Sequence, residues 1–153
     1  MLRDDLSASL KAALKSRDER VVSTLRLILA ALKDRDIAAR AKGNDEGIND
    51  DEILAMLQTM IRQRHDSIAL YEQGGRLELA AREREEIGVI EQFLPRQLGD
   101  DEIRALVNEA IAETGAGGLK DIGLVMGALR GAYAGRMDFA KASGIAKEIL
   151  GAG

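Results

Sequence analysis

Residues 91–103 read EQFLPRQLGDDEI, and Pro95 in the middle of that stretch is the only proline in the chain. Proline lacks an amide donor and disfavours helical geometry in the residue before it, so a helix arriving through Phe93 ends at Leu94. Beyond it Asp100 opens a new amphipathic pattern, with Ile103, Leu106, Val107, Ala110 and Ile111 at helical spacing. The stretch therefore reads as a joint between two helical modules, residues 1–95 and 96–153.

Upstream of the joint the pattern is helical almost throughout. Leu2, Leu6, Leu10 and Leu14 recur every fourth residue and predict a first helix ending near Ser16–Arg17. Asp18 is a candidate cap for a second, longer helix, where Val21, Val22, Leu25, Ile28, Leu29 and Leu32 form the apolar stripe. That helix is expected to run to about Ala41, with Arg20, Arg26, Lys33, Arg35 and Arg40 on its exposed side. The stretch KGNDEGIND (42–50) is a loop by composition; Asn49 or Asp50 caps a third helix that stops at Gly74–Gly75. A fourth, rich in glutamate, spans Arg76 to about Phe93 and buries Leu77, Ala80, Ile87, Ile90 and Leu94.

Downstream, GAGG (115–118) stops the helix that Asp100 begins. Two more follow, with stripes Ile122/Val125/Met126/Leu129/Tyr133 and Phe139/Ala142/Ala146/Ile149/Leu150. The predicted fold is all-α: about four helices in the first module and three in the second. Composition agrees, since aliphatic residues abound, aromatic residues make up 3% and Trp is absent.

Composition also excludes chemistry. The chain has no Cys, which removes disulfides, thiolate nucleophiles and Cys-based metal sites. The opening MLRDDL is acidic where a secretory signal would be basic, and the longest apolar run, Leu27 to Leu32, is too short to span a bilayer. A soluble cytoplasmic protein is expected, with no membrane partner. His65 is the sole histidine; Arg62, where a di-metal bundle would place Glu, and the lack of a second His point to a partly buried structural residue. Glu83 and Glu86 are interleaved with Arg82 and Arg84, which predicts solvated pairing along one helix rather than a carboxylate site. GAGGLKD lacks the Gly-Lys pair of a phosphate-binding loop and is read as a helix cap. No catalytic residue, metal site or cofactor is expected.

Charge is uneven along the chain. Residues 1–42 carry 10 Lys/Arg against 6 Asp/Glu, residues 43–113 carry 7 against 17, and residues 115–153 carry 5 against 3. Such a division marks either a polyanion-facing surface or ordinary solvated helix faces. In the C-terminal part Gly123, Gly127 and Gly131 recur every fourth residue of one helix, where each glycine costs up to about 1 kcal/mol relative to Ala. They form a shallow groove, open either to tight helix packing or to recognition, and Lys120, Arg130, Arg136, Lys141 and Lys147 lie around the same small unit.

Three stretches together resemble the GatB/YqeY family: STLRLILAALKDRDI (23–37), IRQRHDSIALYEQGGRLELAAREREEIGVIEQFLPRQL (61–98) and DIGLVMGALRGAYAGRMDFAKASGIAKEIL (121–150). FLPRQL followed by acidic residues, and the Gly-x-Val-Met-Gly element at 123–127, are its specific parts. The resemblance implies an all-α protein whose C-terminal part is similar to the tail domain of the B subunit of the tRNA-dependent amidotransferase, a domain that helps to hold tRNA. It does not imply amide transfer by this chain, which lacks that subunit's large catalytic domain. Where many relatives have lysine in the Gly-Lys-Val-Met-Gly element this chain has Leu124, and the usual Ala-Asp-Gly-Lys appears as Met137-Asp138-Phe139-Ala140 followed by Lys141.

Two functions stay open. One is a non-catalytic tRNA-binding module using Lys120, Arg130, Arg136, Lys141 and Lys147 together with Arg26, Lys33, Arg35 and Arg40, reading RNA shape and phosphates and not DNA. The other is an adaptor for a tRNA-handling enzyme, anchored by apolar residues such as Met126, Met137 and Phe139.

Overall fold

The computed structural model describes residues 1–152 and contains, among them, seven α-helices, one 3₁₀ turn and no strand. The fold is all-α. Contacts divide the chain into two compact units, Met1–Pro95 and Arg96–Gly153.

In the first unit, α1 (Leu2–Ser16) and α2 (Glu19–Ala41) form a helical hairpin. Leu6 is fully buried and Leu2 and Leu10 pack on the same core. Leu14, the fourth member of the stripe, is 47% exposed instead, and Ala13 takes the inward position. The helix ends there because Arg17 adopts the left-handed conformation, φ 57°, and Asp18 then accepts the Val21 N–H at 3.3 Å to cap α2. The loop after α2 is tied back by a buried polar latch. The Arg3 guanidinium grips both Asp36 oxygens and donates to the Ile48 carbonyl at 2.7 Å, while Asp36 accepts the Ile48 N–H at 3.0 Å.

An Asn49/Glu52 capping box starts α3 (Asp50–Gln73): Glu52 N–H donates to Asn49 Oδ1 at 2.9 Å and Asn49 N–H to Glu52 Oε1 at 3.4 Å. Gly75, with φ 72°, makes the short turn into α4 (Leu77–Glu91). Leu25, Ile28, Ile53, Met56, Leu57 and Ile90 fill the main core, and Ile68, Ala80 and Ile87 form a satellite between α3 and α4. Leu77, expected inside, is exposed at the start of α4. The last turn tightens ahead of Pro95, with Phe93 N–H donating to Ile90 O at 3.1 Å and Leu94 N–H to Glu91 O at 3.1 Å.

The second unit comprises α5 (Asp100–Thr114), the 3₁₀ turn Leu119–Asp121, α6 (Ile122–Tyr133) and α7 (Phe139–Ala152). Gly115 ends α5 at φ 71°, as a helix cap does, and Asp121 holds the loop by accepting the Gly117 N–H at 2.9 Å. Ile103, Val107, Val125, Leu129 and Met137 are buried against Ala142 and Ala146, whose small side chains let α7 lie close. The entry segment is pinned to the α6–α7 loop, Leu98 N–H to Arg136 O at 2.8 Å and Gln97 Nε2 to Gly135 O at 2.6 Å.

Candidate nucleic-acid interface

α6 is apolar nearly all round. Val125, Met126 and Leu129 face the core, and Gly123, Gly127 and Gly131 lie on the opposite side, exposed. A Cβ built at any of the three meets nothing within 4 Å. Tight packing inside the chain is therefore not what the glycines serve; their face is a smooth outer surface. Leu124, 60% exposed, borders it on one side, and Arg130 follows the glycine row at its C-terminal half.

The basic residues of this unit divide into two kinds. Lys120, on the 3₁₀ turn, and Lys147, on the outer side of α7, are exposed and make no ion pair among the described residues. The others are engaged. Arg130 lies 5.8 Å from the Phe139 ring centroid and Arg136 6.0 Å from that of Tyr133, stacked arrangements that orient a guanidinium without neutralising it. Lys141 Nζ donates to Asp100 Oδ1 at 2.9 Å, a bond that raises its pKa further. Arg96 grips Glu102 with both terminal nitrogens, at 2.8 and 3.1 Å, and Glu102 also accepts the Gly99 N–H at 3.2 Å; these bonds hold its carboxyl at about 2.

The folded unit thus mixes charges that the linear sequence keeps apart. Residues 96–153 carry 7 Lys/Arg and 8 Asp/Glu, because the acids of α5 belong to the same body as the basic tail. Arg26, Lys33, Arg35 and Arg40 belong to the other unit and are exposed on α2, with Arg26, Lys33 and Arg40 along one flank and Arg35 on the far side. The sequence's basic candidates are divided between the two units.

Three expectations need correction. His65 is exposed rather than partly buried, because the inward position of that turn goes to Arg64. Arg64 donates to Glu86 at 2.8 Å and to the Met60 carbonyl at 3.0 Å, with Glu83 at 3.9 Å. Three charges of α4 accordingly pair across helices, Glu86 with Arg64, Glu85 with Arg20 and Arg84 with Glu72, while Glu78 pairs with Arg76 at the start of its own helix. Burial and the neighbouring Glu86 raise the Glu83 pKa. Finally, Met126 and Met137 are core residues and Phe139 is half-buried, so the methionines offer no docking anchor.

No group of three or more His, Cys, Asp or Glu among the described residues is placed to hold a metal, and no helix there is long and apolar enough to cross a membrane. The fold and this surface define a two-unit helical protein with charged and apolar surfaces.

The chain belongs to the Yqey-like protein family, whose model matches residues 3–150. It is similar to the protein named "Altered inheritance of mitochondria protein 41, mitochondrial" in several yeasts. The Vanderwaltozyma polyspora protein is 26% identical over 124 residues, 76% of this chain and 64% of that one. The Lachancea thermotolerans protein is 31% identical over 111 residues, covering 71% and 57%, and that of Saccharomyces cerevisiae strain S288c is 32% identical over 89, covering 58% and 46%. The matched region spans roughly half to two thirds of these relatives.

Proposed function

We propose that this chain is a non-catalytic tRNA-binding accessory module, cytoplasmic, that presents RNA to or retains it near an enzyme of aminoacyl-tRNA metabolism. The observation that carries the reading is the outward glycine face of α6. Without side chains at 123, 127 and 131 a sugar–phosphate backbone reaches the helix surface, and the same unit offers the exposed Lys120, Arg130 and Lys147, with Arg136 partly exposed, as phosphate contacts. Lys141 contributes where RNA phosphate replaces Asp100 as its partner. With no Trp, recognition rests on shape and phosphates rather than base stacking. The similarity of the C-terminal stretch to the amidotransferase tail supports the choice of tRNA over other polyanions.

The test is equilibrium binding of total tRNA at about 50 and about 200 mM salt, where release of counterions from a few phosphate contacts weakens binding markedly. Lys120→Glu combined with Lys147→Glu is expected to reduce affinity at the lower salt at least about tenfold, because each reversal turns a phosphate attraction into a repulsion. Binding that ignores both salt and the double substitution ends the reading. The adaptor alternative keeps one observation in its favour: α2 carries an exposed apolar strip that includes Leu27 and Ile37, for which RNA has no use.

A further inference from the structure

α2 shows two different seams. Val22, Leu25, Ile28, Leu32 and Asp36 face inward. On the outward side Leu27, Ala30, Ile37 and Ala41 are all exposed, Leu27 at 46% and Ile37 at 53%. Their spacing of three and four residues is that of a second helix-packing seam, with Asp34 at its middle. Arg26, Lys33 and Arg40 recur every seven residues along one flank of that seam, about 10 Å apart on the axis. At its N-terminal end the seam opens into a depression of about 580 Å³ between the hairpin helices, walled by Leu14, Val22 and Leu27 and rimmed by Arg17, Arg26 and Glu19. Leu14 is half-exposed there although Leu6 of the same stripe is fully buried.

We infer that this face of α2 is a docking site for an amphipathic helix of a partner protein whose flanking positions are acidic. A seam of leucine, isoleucine and alanine accepts knobs from a facing helix, and the depression takes one bulky side chain at the end of the contact. The basic row selects charge: Arg26 and Lys33 are exposed and make no ion pair among the described residues, so acids at seven-residue spacing on the partner complete them. Asp34 admits one lysine or arginine in the partner's own seam. RNA would have use for the basic row but none for the apolar strip beside it. The inference is independent of the RNA reading, which rests on the C-terminal unit.

The probe is a three-heptad synthetic peptide with leucine at its seam, one central lysine, and glutamate at the flanking positions; the control carries lysine at those flanks. Amide chemical shifts of the full chain report where each binds, and anisotropy reports how tightly. The acidic peptide is expected to bind about tenfold more tightly than the control, to shift amides of α2 and the end of α1, and to weaken between about 50 and about 200 mM salt. Ile37→Asp, at an exposed position that leaves the core intact, abolishes binding, and Arg26→Glu with Lys33→Glu turns the preference toward the lysine peptide. Equal binding of both peptides, shifts elsewhere, or no binding overturns the inference. So does tRNA that shifts the same amides and competes, which makes the face a polyanion contact, or self-association that Ile37→Asp abolishes, which makes its occupant a second copy.

Discussion

Asp36 is 8% exposed and carries a charge, which is tolerable only because Arg3 and the Ile48 amide saturate its oxygens. The bond to Arg3 holds its pKa below the ordinary carboxylate value. A depressed carboxylate stabilises the fold above its unfolded pKa, roughly 3.9, and that contribution disappears as pH falls through the lower folded value. Asp36→Asn is expected to cost about 2 kcal/mol at neutral pH in denaturant titration and to flatten the acid limb of stability. Gly47 belongs to the same latch: its φ is 83°, and a Cβ there collides with the Asp36 carboxylate, so Gly47→Ala destabilises as well. Neither partnership was legible in the sequence, since Arg3 and Asp36 are 33 residues apart. Glu83 has the opposite sign. With its pKa raised by burial and by Glu86, its ionisation opposes folding as pH rises past the ordinary glutamate value. Glu83→Gln is therefore expected to raise the melting temperature at pH 7 and leave it unchanged in acid, whereas Glu86→Gln, which loses the 2.8 Å bond to Arg64, lowers it at pH 7.

At the level of single elements, periodicity located nearly every helix, because an apolar stripe must face a core for the helix to persist. What it did not give was each helix's rotation near its ends. Leu14 and Leu77 fit their stripes and lie outside, one where α1 stops at Arg17 and one in the first turn of α4. Arg64 displaced His65 for a related reason: a long side chain can turn inward between α3 and α4 when a carboxylate waits across the gap. The glycine row of α6 was visible by spacing, and its openness was not. Because a Cβ at 127 meets nothing within 4 Å, Gly127→Ala is expected to stabilise the C-terminal unit by about 0.5–1 kcal/mol through helix propensity alone. The same variant weakens tRNA binding under the function proposed above. Thermal melts and binding isotherms on one preparation separate the two effects, and a helix stabilised with undiminished tRNA affinity counts against close backbone approach.

For the whole molecule, each unit has its own hydrophobic core. Leu129→Ala empties a fully buried position of the second and is expected to cost about 2–5 kcal/mol there. Hydrogen exchange should quicken in amides after Arg96 and hold in those of the first unit; uniform acceleration along the chain would show one cooperative body instead. The sequence alone determined the all-α class, the helices' approximate bounds and the break around Pro95, because apolar periodicity, caps and the missing proline amide act within a few residues of one another. It also removed cysteine chemistry outright. Only the tertiary structure decided which charges meet. The acids of α5 join the basic tail in one body, the glutamates of α4 answer arginines of α2 and α3, and the outward faces of α2 and α6 remain uncovered. Coulomb partners and covered faces depend on distances in space between residues far apart in the chain, and local spacing carries no record of those.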